Sequence, residues 1–254
     1  MDFGTSGWVI RNSKAYMASN VIRTWSKARA CCQKKHQECD LASIANSAKF
    51  DFIKTRILST DSIWIGGEKN EDSSVWSWTD GTDWNFANWS TGEPDITIRS
   101  AAAVYLASDG SWFDSETESS EYKFVCQCST KWKYFEHTNK YYRANFLDNT
   151  WHAARSMCSN ECANGSIASV PDDTTMDFLK TNVADRAWLG GEKKSGVWSW
   201  RDGSDWNYTE WTEEYANSGA SSGVALRLLH GKWEMMDKMN KEDFICQCPK
   251  TFGP

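Results

Sequence analysis

The stretch VWSWTDGTDWN at residues 75–85 returns as VWSWRDGSDWN at residues 197–207, and the two copies differ at only two positions. A near-copy this rich in tryptophan indicates an internal repeat rather than a chance match. Shorter segments repeat in the same order: WSKARACC at 25–32 returns as WHAARSMC at 151–158, and WIGGEK at 64–69 as WLGGEK at 188–193. The sequence therefore predicts two similar domains, at residues 1–129 and 130–254.

The composition is typical of a folded chain and not of a disordered or nucleic-acid-binding one. The 254 residues are 40% hydrophobic and 24% charged, and 28 basic against 34 acidic residues give a net charge of −6. Each half can therefore build a core, while the negative balance argues against a protein that neutralises nucleic-acid phosphates. No apolar run approaches the roughly 20 residues that cross a bilayer. The first six residues also lack the basic and apolar parts of a signal peptide.

Each half follows the same order of predicted elements, with two helices ahead of most of the strands. Trp25, Ala28 and Cys32 share one helical face, and the apolar spacing predicts a second helix over 47–58 with a copy over 172–183. Short apolar runs and the WSW segments then alternate as strands that end at Asp-Gly turns. Helices followed by strands indicate an α+β fold in each half.

Nine cysteines lie early and at the very end of the two halves, which is the pattern of a disulfide framework. The halves close on nearly the same tetrapeptide, VCQC at 125–128 and ICQC at 245–248. Zinc sites prefer a two-residue spacing with further histidine or cysteine partners, and the four histidines form no such cluster. Disulfides place the chain in an oxidising, secreted or extracellular compartment. Asn-x-Ser/Thr triplets at Asn88, Asn164 and Asn207 permit glycosylation there.

The ordered series of short motifs resembles the C-type lectin-like domain family, twice over. In the first half the series is LASI (41–44), WIG (64–66), WTDG (78–81), WSTGEPD (89–95), WFD (112–114) and FVC (124–126). The resemblance implies an α+β C-type lectin-like fold in two tandem, disulfide-stapled copies, in which the first and last strands pair and a long loop carries the ligand site. It also implies the long disulfide of the family, at Cys32–Cys126 and Cys158–Cys246.

The remaining cysteines depart from the second disulfide that is usual in the family, because the segments that would carry it contain no cysteine. We expect Cys39–Cys128 and Cys162–Cys248 instead, tying the end of the first helix to the last strand, although four cysteines alone allow three pairings. Cys31 is left over, and Met157 takes its place in the second half. It is a small buried thiol, the bridge of a disulfide-linked dimer, or a member of another pairing.

Sugar-binding members of the family hold one Ca²⁺ with a Glu-Pro-Asn or Gln-Pro-Asp triplet, a further Glu, and the Asn-Asp of a Trp-Asn-Asp motif. Here Glu93, Asp95 and Asp114 match this set, which implies weak Ca²⁺ binding at about 10⁻⁴ to 10⁻³ M, as in extracellular modules. Phe113 replaces the Asn, and Arg99 lies near the place of the further Glu. The alternative is that the Glu-Pro-Asp triplet only shapes the loop.

The second half has lost more of this pattern, so Ca²⁺ is expected only in the first. Residues 215–217 (YAN) align with the Glu-Pro-Asp triplet of the first half, and WEM at 233–235 replaces Trp-x-Asp. Trp76 and Trp84, with their copies Trp198 and Trp206, lie at positions that are less clearly part of the core, and they are a second candidate for contact with a sugar ring, against the alternative of ordinary strand packing. The predicted ligand-binding residues are Glu93, Asp95, Trp112, Trp84 and Trp206.

These observations predict a secreted, tandem lectin-like protein that binds carbohydrate, with glycans or glycoproteins as partners. Two modules on one chain would add avidity toward a multivalent surface. The second hypothesis is calcium-independent binding of protein, mucus, mineral or ice, because the calcium ligands are incomplete. Catalysis is not expected, since no Ser-His-Asp order repeats between the halves and the sequence contains no phosphate loop.

Overall fold

A computed structural model describes residues 8–35, 38–70, 75–95, 102–184, 186–214 and 224–252. The chain divides into two compact units between Ser129 and Thr130. We call the part up to Ser129 the first unit and the part from Thr130 the second unit. Within the described ranges, no helix is long and apolar enough to cross a lipid bilayer.

The first unit combines two helices with a mixed sheet. The helices are α1 (Trp25–Gln33) and α2 (Ser47–Arg56). The strands are β1 (Val9–Arg11), β2 (Lys14–Ala18), β3 (Cys39–Leu41), β4 (Ile63–Lys69), β5 (Ser77–Trp78), β6 (Ala102–Leu106), β7 (Trp112–Glu116) and β8 (Lys123–Ser129). Their order in the sheet is β1-β2-β8-β4-β6-β7, with β3 on β8 and β5 on β4.

The second unit repeats this arrangement. Its helices are α3 (Trp151–Glu161) and α4 (Asp173–Asn182). Its strands are β9 (Lys133–Phe135), β10 (Lys140–Asn149), β11 (Ser166–Ile167), β12 (Arg186–Lys194), β13 (Val197–Trp200), β14 (Val224–Leu229), β15 (Lys232–Asp237) and β16 (Glu242–Pro249), and short 3-10 helices span Glu136–Thr138 and Lys250–Phe252. The sheet order β15-β14-β12-β16-β10-β9 matches that of the first unit, with β11 on β16 and β13 on β12.

The second helix of each unit begins where a polar side chain caps its first turn. The Asn46 side chain accepts from Lys49 N at 2.9 Å, and the Asp172 carboxylate accepts from Thr175 N at 2.7 Å. Such caps satisfy backbone donors that have no partner inside the helix. The helices predicted over 47–58 and 172–183 are therefore confirmed, each ending within two residues of the predicted limit.

Each unit is closed by pairing of its early strand with its last strand. Ala15 of β2 lies opposite Cys128 of β8, and Tyr141 of β10 lies opposite Cys248 of β16. Two core tryptophans of each unit are anchored through their ring nitrogens to backbone carbonyls, as in the 2.9 Å bond from Trp25 Nε1 to Ile65 O and the 2.8 Å bond from Trp151 Nε1 to Leu189 O. The α+β class predicted for both halves is confirmed.

Four disulfides staple the two units, two in each. They join cysteines 86 to 94 residues apart, so each closes a long loop. In the chain-entropy model a loop of that length contributes about 4 kcal/mol by restricting the unfolded state. The pairs are Cys32–Cys126, Cys39–Cys128, Cys158–Cys246 and Cys162–Cys248.

The second disulfide leaves from different places in the two units. Cys162 directly follows α3, as expected, whereas Cys39 lies in β3, opposite Cys128, and not at the end of α1. In the second unit Gly165 lies directly before β11 and packs against Cys162 of the second disulfide. A Cβ there would come within 2.4 Å of Cys158 O and 2.9 Å of Cys162 Sγ, so this disulfide path requires glycine.

A partly buried polar cluster ties the Asp-Gly turn of each unit to its last strand. In the first unit Asp80 Oδ2 accepts from Lys14 Nζ at 3.0 Å, Ser43 Oγ at 2.9 Å and Gln127 Nε2 at 2.6 Å. Burial opposes the charge on Asp80, but hydrogen bonds from Thr82 and Lys14 outweigh burial and hold the pKa of the carboxyl below its usual range.

The same cluster recurs in the second unit. Asp202 Oδ2 accepts from Lys140 Nζ at 2.9 Å, Ser169 Oγ at 2.8 Å and Gln247 Nε2 at 2.6 Å. Both clusters fix the turn that follows the WSW segment, and so they position the tryptophans described below.

Candidate functional site

The loop that carries the Glu-Pro-Asp triplet returns to β7 at the edge of the first unit. Trp112 N donates to Asn88 O at 2.9 Å, and Ser90 N donates to Trp112 O at 3.0 Å. The Glu93–Pro94 peptide bond that follows is cis. Arg99, which the sequence places near the lost Glu ligand, lies outside the described residues.

Two carboxyl groups converge at this edge. Asp114, on β7, is 9% exposed, and its Oδ1 accepts from Asp95 N at 2.8 Å. Glu93 Oε2 and Asp114 Oδ2 are both buried, and neither has a hydrogen-bond partner among the described residues. Burial and the nearby Asp114 carboxyl raise the pKa of Glu93. Two orphaned acceptor oxygens side by side are suited to a shared proton or to a bound cation.

The three predicted metal ligands do not meet as three side chains. Glu93 and Asp114 come together, while Asp95 contributes its backbone N–H to Asp114 and its side chain lies at an exposed position. Among the residues that the structure describes, no three His, Cys, Asp or Glu side chains are close enough to hold a metal ion. A cation here would therefore need oxygens from water, backbone or ligand besides the two carboxylates.

Three aromatic side chains on β6, β7 and the approach to β8 pack together, and one of them, Tyr105, is close enough to the carboxyl pair to be affected by its charge. The Tyr105 ring lies 5.4 Å from that of Phe113, nearly parallel to it, and 4.5 Å from that of Tyr122. Burial, Tyr122 and the Glu93 and Asp114 charges raise the pKa of Tyr105 to about 12, so its hydroxyl keeps the proton at neutral pH. We call Tyr105, Phe113 and Tyr122 the aromatic wall.

The sequence analysis missed the tyrosines of the aromatic wall. Tyr105 and Phe113 become neighbours through the β6–β7 register, which pairs them directly. Alternation along a strand places every second residue on one face, but it does not reveal which partner lies across. The available signal was that Tyr105 lies in the apolar run before the WFD motif and that Tyr122 lies two residues before the FVC motif.

The second unit carries an ion network where the first has the aromatic wall. The β14–β15 register places Arg227 opposite Glu234, as Tyr105 lies opposite Phe113. Arg227 binds Glu234, and its Nη1 lies 2.5 Å from Glu242 Oε1. Glu242 stands two residues before Phe244, as Tyr122 stands two before Phe124. Each residue of the wall is thus replaced by a charged one.

The network sets two arginines against two glutamates. Arg186 Nε also pairs with Glu242 Oε2 at 2.9 Å. Met235 stands at the position of Asp114, so the carboxyl pair itself has no counterpart on β15. Residues 215–217, which stand over the Glu-Pro-Asp triplet, lie outside the described residues. In the described part of the chain, the two units therefore present different side chains at this edge: carboxyl groups and aromatic rings in the first, and paired arginines and glutamates in the second.

A tryptophan cluster, in contrast, is common to both units. In the first unit it contains Trp76, Trp78, Trp84, Trp89 and Trp112, and in the second Trp198, Trp200, Trp206, Trp211 and Trp233. The Trp84 ring stacks on Trp78 at 4.4 Å and on Trp76 at 6.0 Å. A Cβ added at Gly67 would approach Trp84 within 3.1 Å, which shows how closely β4 packs on this ring.

The predicted ligand tryptophans differ in exposure. Trp112 is 0% exposed. It therefore supports the other rings of the cluster from inside and is not itself part of the exposed surface. Trp84 and its copy Trp206 are half-buried, and each also packs on the buried tryptophan of β7 or β15, at 5.8 Å and 5.5 Å respectively. They therefore combine a packing role with a partly open surface.

Comparison with known proteins identifies the domain in both units. The model of the family described as Lectin C-type domain matches residues 21–128 and 148–248. A protein named C-type lectin from Micrurus corallinus is 31% identical over 128 residues, which cover 48% of this chain and 80% of that protein. The human secretory phospholipase A2 receptor is 22% identical over 258 residues, covering 88% of this chain and only 17% of the receptor.

Two solved structures are also similar to part of the chain. The carbohydrate-recognition domain of the mouse scavenger receptor C-type lectin is 25% identical, with a TM-score of 0.44, and the match covers 49% of this chain and 94% of that domain. A calcium-independent type II antifreeze protein is also 25% identical, with a TM-score of 0.44, covering 48% of this chain and 92% of that protein. From its two family matches, the chain belongs to the C-type lectin domain family, and it carries two tandem copies of the domain.

Proposed function

We propose that the protein works outside the cell as a tandem lectin that binds glycans or glycoproteins, with its principal site at the Glu93–Asp114 edge of the first unit. The observation that carries the proposal is the pair of buried, unpartnered oxygens, Glu93 Oε2 and Asp114 Oδ2. Two carboxyl groups buried against each other repel when both are charged, so a cation bound between them would stabilise the pair. The four disulfides support an oxidising, extracellular setting.

The missing partner is a weakly bound Ca²⁺. Two carboxylates supply hard oxygens of the type that Ca²⁺ prefers, and water and the hydroxyls of a sugar complete the six to eight ligands. Asp95 lies next to the pair through its N–H bond to Asp114 and can bring a third carboxylate. Because the set is incomplete, the affinity is expected at about 10⁻⁴ to 10⁻³ M.

The aromatic wall fits the apolar side of a sugar held at this edge. Tyr105, Phe113 and Tyr122 are each half-buried, so part of each ring stays open to solvent. The neutral Tyr105 hydroxyl can donate to or accept from a ligand hydroxyl. A sugar would thus contact charge on one side and aromatic surface on the other, which is the usual make-up of a small-molecule site.

The test compares the full chain with Glu93→Gln, which removes the charge at constant size. Thermal melting in Ca²⁺ and in EDTA, followed by a glycan array in both conditions, should show a Ca²⁺-dependent Tm and glycan signal only for the natural chain. The matched control is Asp83→Asn, which removes the charge of an exposed carboxylate of the same unit outside the Glu93–Asp114 pair, and it should behave as the natural chain does. Glycan binding that survives both EDTA and Glu93→Gln would show that the site lies elsewhere.

One observation favours calcium-independent binding as a second candidate. The tryptophan cluster is present in both units, whereas among the described residues the carboxyl pair occurs in the first unit alone. Exposed Val75 and Val197, at 69% and 68%, border the two clusters at matching positions. Such a surface suits a sugar ring, or a protein, mucus, mineral or ice partner. Binding that resists EDTA but falls when Trp84→Phe and Trp206→Phe are combined would support it.

A further inference from the structure

Three Asn-x-Ser/Thr triplets, at residues 88–90, 164–166 and 207–209, lie in different surroundings. N-glycosylation attaches a bulky, hydrated sugar to the asparagine side chain, and the triplet alone is a weak signal. A glycan is compatible with the fold only where the asparagine side chain faces solvent and holds no contact that the sugar would displace. The structure therefore separates the triplets, although the sequence cannot.

The triplet at Asn207 faces solvent. The segment alternates, so that Trp206 and Tyr208 point toward Trp233, with ring distances of 5.5 Å and 5.6 Å. Asn207 and Thr209, which lie between and after them, are exposed. A sugar on Asn207 would leave both aromatic contacts intact.

The asparagine of the second triplet is also open, although Ser166, its third residue, is half-buried in β11 and accepts from Gln247 Nε2 at 3.0 Å. Asn164 is exposed, and it occupies a left-handed turn with φ of 60° between α3 and β11. It borders a cavity of about 400 Å³ that Lys140 and Ser204 also line. Gly165, the middle residue, is fixed by its packing against Cys158 O. The asparagine is thus held outward by a turn that the neighbouring disulfide dictates.

The triplet at Asn88 is built into the fold. Asn88 is half-buried, and its Nδ2 donates to Gly110 O at 3.1 Å. Its carbonyl accepts from Trp112 N at 2.9 Å, and Ser90 N donates to Trp112 O at 3.0 Å. The nitrogen that would carry the sugar is therefore already holding the turn before β7.

We infer that the chain carries N-linked glycans on Asn207 and Asn164 and none on Asn88. In the transfer, the bond from C1 of N-acetylglucosamine to the diphosphate of a lipid-linked oligosaccharide breaks. A C1–N bond to the asparagine Nδ2 forms, and the proton lost from Nδ2 leaves with the lipid diphosphate. The inference rests on the extracellular setting proposed above, since the donor is met on the secretory route.

The two units then differ in a way that bears on ligand access. At the position of Asn207 the first unit has Asn85, and at that of Thr209 it has Ala87, both exposed. Without a hydroxyl at residue 87, Asn85 is not part of a triplet. A glycan therefore stands beside the tryptophan cluster of the second unit only, and that of the first unit stays open.

The test expresses the full chain behind a secretory leader in eukaryotic cells and maps glycopeptides in both cells and medium, before and after peptide N-glycosidase. Glycans are expected at Asn207 and Asn164, with the Asn88 peptide unmodified. Thr209→Ala and Ser166→Ala should each remove one glycan while keeping the asparagine. As a matched variant that gains a site, Ala87→Thr completes an Asn-x-Thr triplet at Asn85 and should add one glycan.

An occupied Asn88, or a bare Asn207 or Asn164 in chain that has passed the secretory route, overturns the inference. An Ala87→Thr chain that gains no sugar overturns the argument from side-chain direction. Because the leader forces entry to the secretory route, the outcome does not depend on whether the protein binds carbohydrate. A failed glycan array and a failed glycopeptide map are therefore distinguishable.

Discussion

Replacing Arg227 by leucine would leave two glutamates of the second unit without their shared cation. The Arg227 side chain is 13% exposed, and it lies between Glu234, 16% exposed, and Glu242, 7% exposed. Glu242 would retain Arg186, whose Nε lies 2.9 Å away and whose side chain is 57% exposed. The variant therefore removes the inner cation of the network and keeps the outer one.

The expected cost follows from this burial. Removing one partner of a buried ion pair costs about 3–5 kcal/mol, because the other charge stays buried and unpaired. The retained Arg186 and the partial exposure of the network reduce this to about 2–4 kcal/mol. At about 3–5 °C per kcal/mol for a unit of this size, the Tm of the second unit should fall by about 10 °C.

The residues of the first unit suggest a variant that should restore the stability lost in Arg227→Leu. Arg227→Tyr combined with Glu234→Phe and Glu242→Tyr places the aromatic wall on the second unit, and well-packed apolar groups often replace a buried ion network without loss. We expect the triple variant to return to within about 1 kcal/mol of the natural chain. Urea unfolding with intact disulfides gives the free energy, and hydrogen exchange in peptides of β12 and β16 assigns it to the second unit.

Lys194→Leu is the matched control. Lys194 Nζ lies 3.1 Å from Glu192, but its side chain is 63% exposed, and Glu192 keeps Lys238 and Arg201. An exposed pair of this kind is worth about 0–1 kcal/mol. If Arg227→Leu costs no more than Lys194→Leu, the network does not stabilise the unit and the reasoning is refuted.

Three further outcomes are expected. Gly165→Ala should lower the free energy of unfolding by about 2 kcal/mol or more, because the added Cβ meets Cys158 O at 2.4 Å; an unchanged Tm would contradict this. Burial and the Lys14 charge lower the pKa of Lys49 to about 7, so the unfolded chain binds more protons here between pH 7 and about 10, and stability should rise with pH across that window. Lys49→Thr, which installs the residue at matching position 175, should flatten that rise in urea unfolding. Cys31 is half-buried and forms no intrachain disulfide, so we expect a band of twice the chain mass on non-reducing electrophoresis that Cys31→Ser abolishes; a single-mass band from the natural chain would exclude the dimer.

The fold was largely predictable because its determinants are local or repeated. The spacing of apolar residues predicted α2 and α4, and the polar residue ahead of each helix marks its start. The family resemblance supplied the pairing of first and last strands and the Cys32–Cys126 and Cys158–Cys246 disulfides. The different route of Cys39 was not predictable, because it depends on which residue of β3 lies opposite Cys128.

The candidate site was predictable only in its carboxylates. Glu93 and Asp114 belong to recognisable motifs, and the structure brings them together. Tyr105 and Arg227 occupy matching positions, but the sequence does not show that Tyr105 lies opposite Phe113 and Arg227 opposite Glu234. Only the strand register shows this. Side-chain contacts across strands depend on long-range register, which a single sequence does not state.

Hydrogen exchange of the full chain during a Ca²⁺ titration tests directly whether Glu93 and Asp114 hold a Ca²⁺ ion in the first unit. The account predicts saturable protection in peptides that contain Glu93 and Asp114, with a midpoint of about 10⁻⁴ to 10⁻³ M, and no change in peptides of β14 and β15. Glu93→Gln should abolish that protection. No protection at about 10 mM Ca²⁺, well above the affinity expected of such modules, or protection that appears in the second unit, would contradict the account.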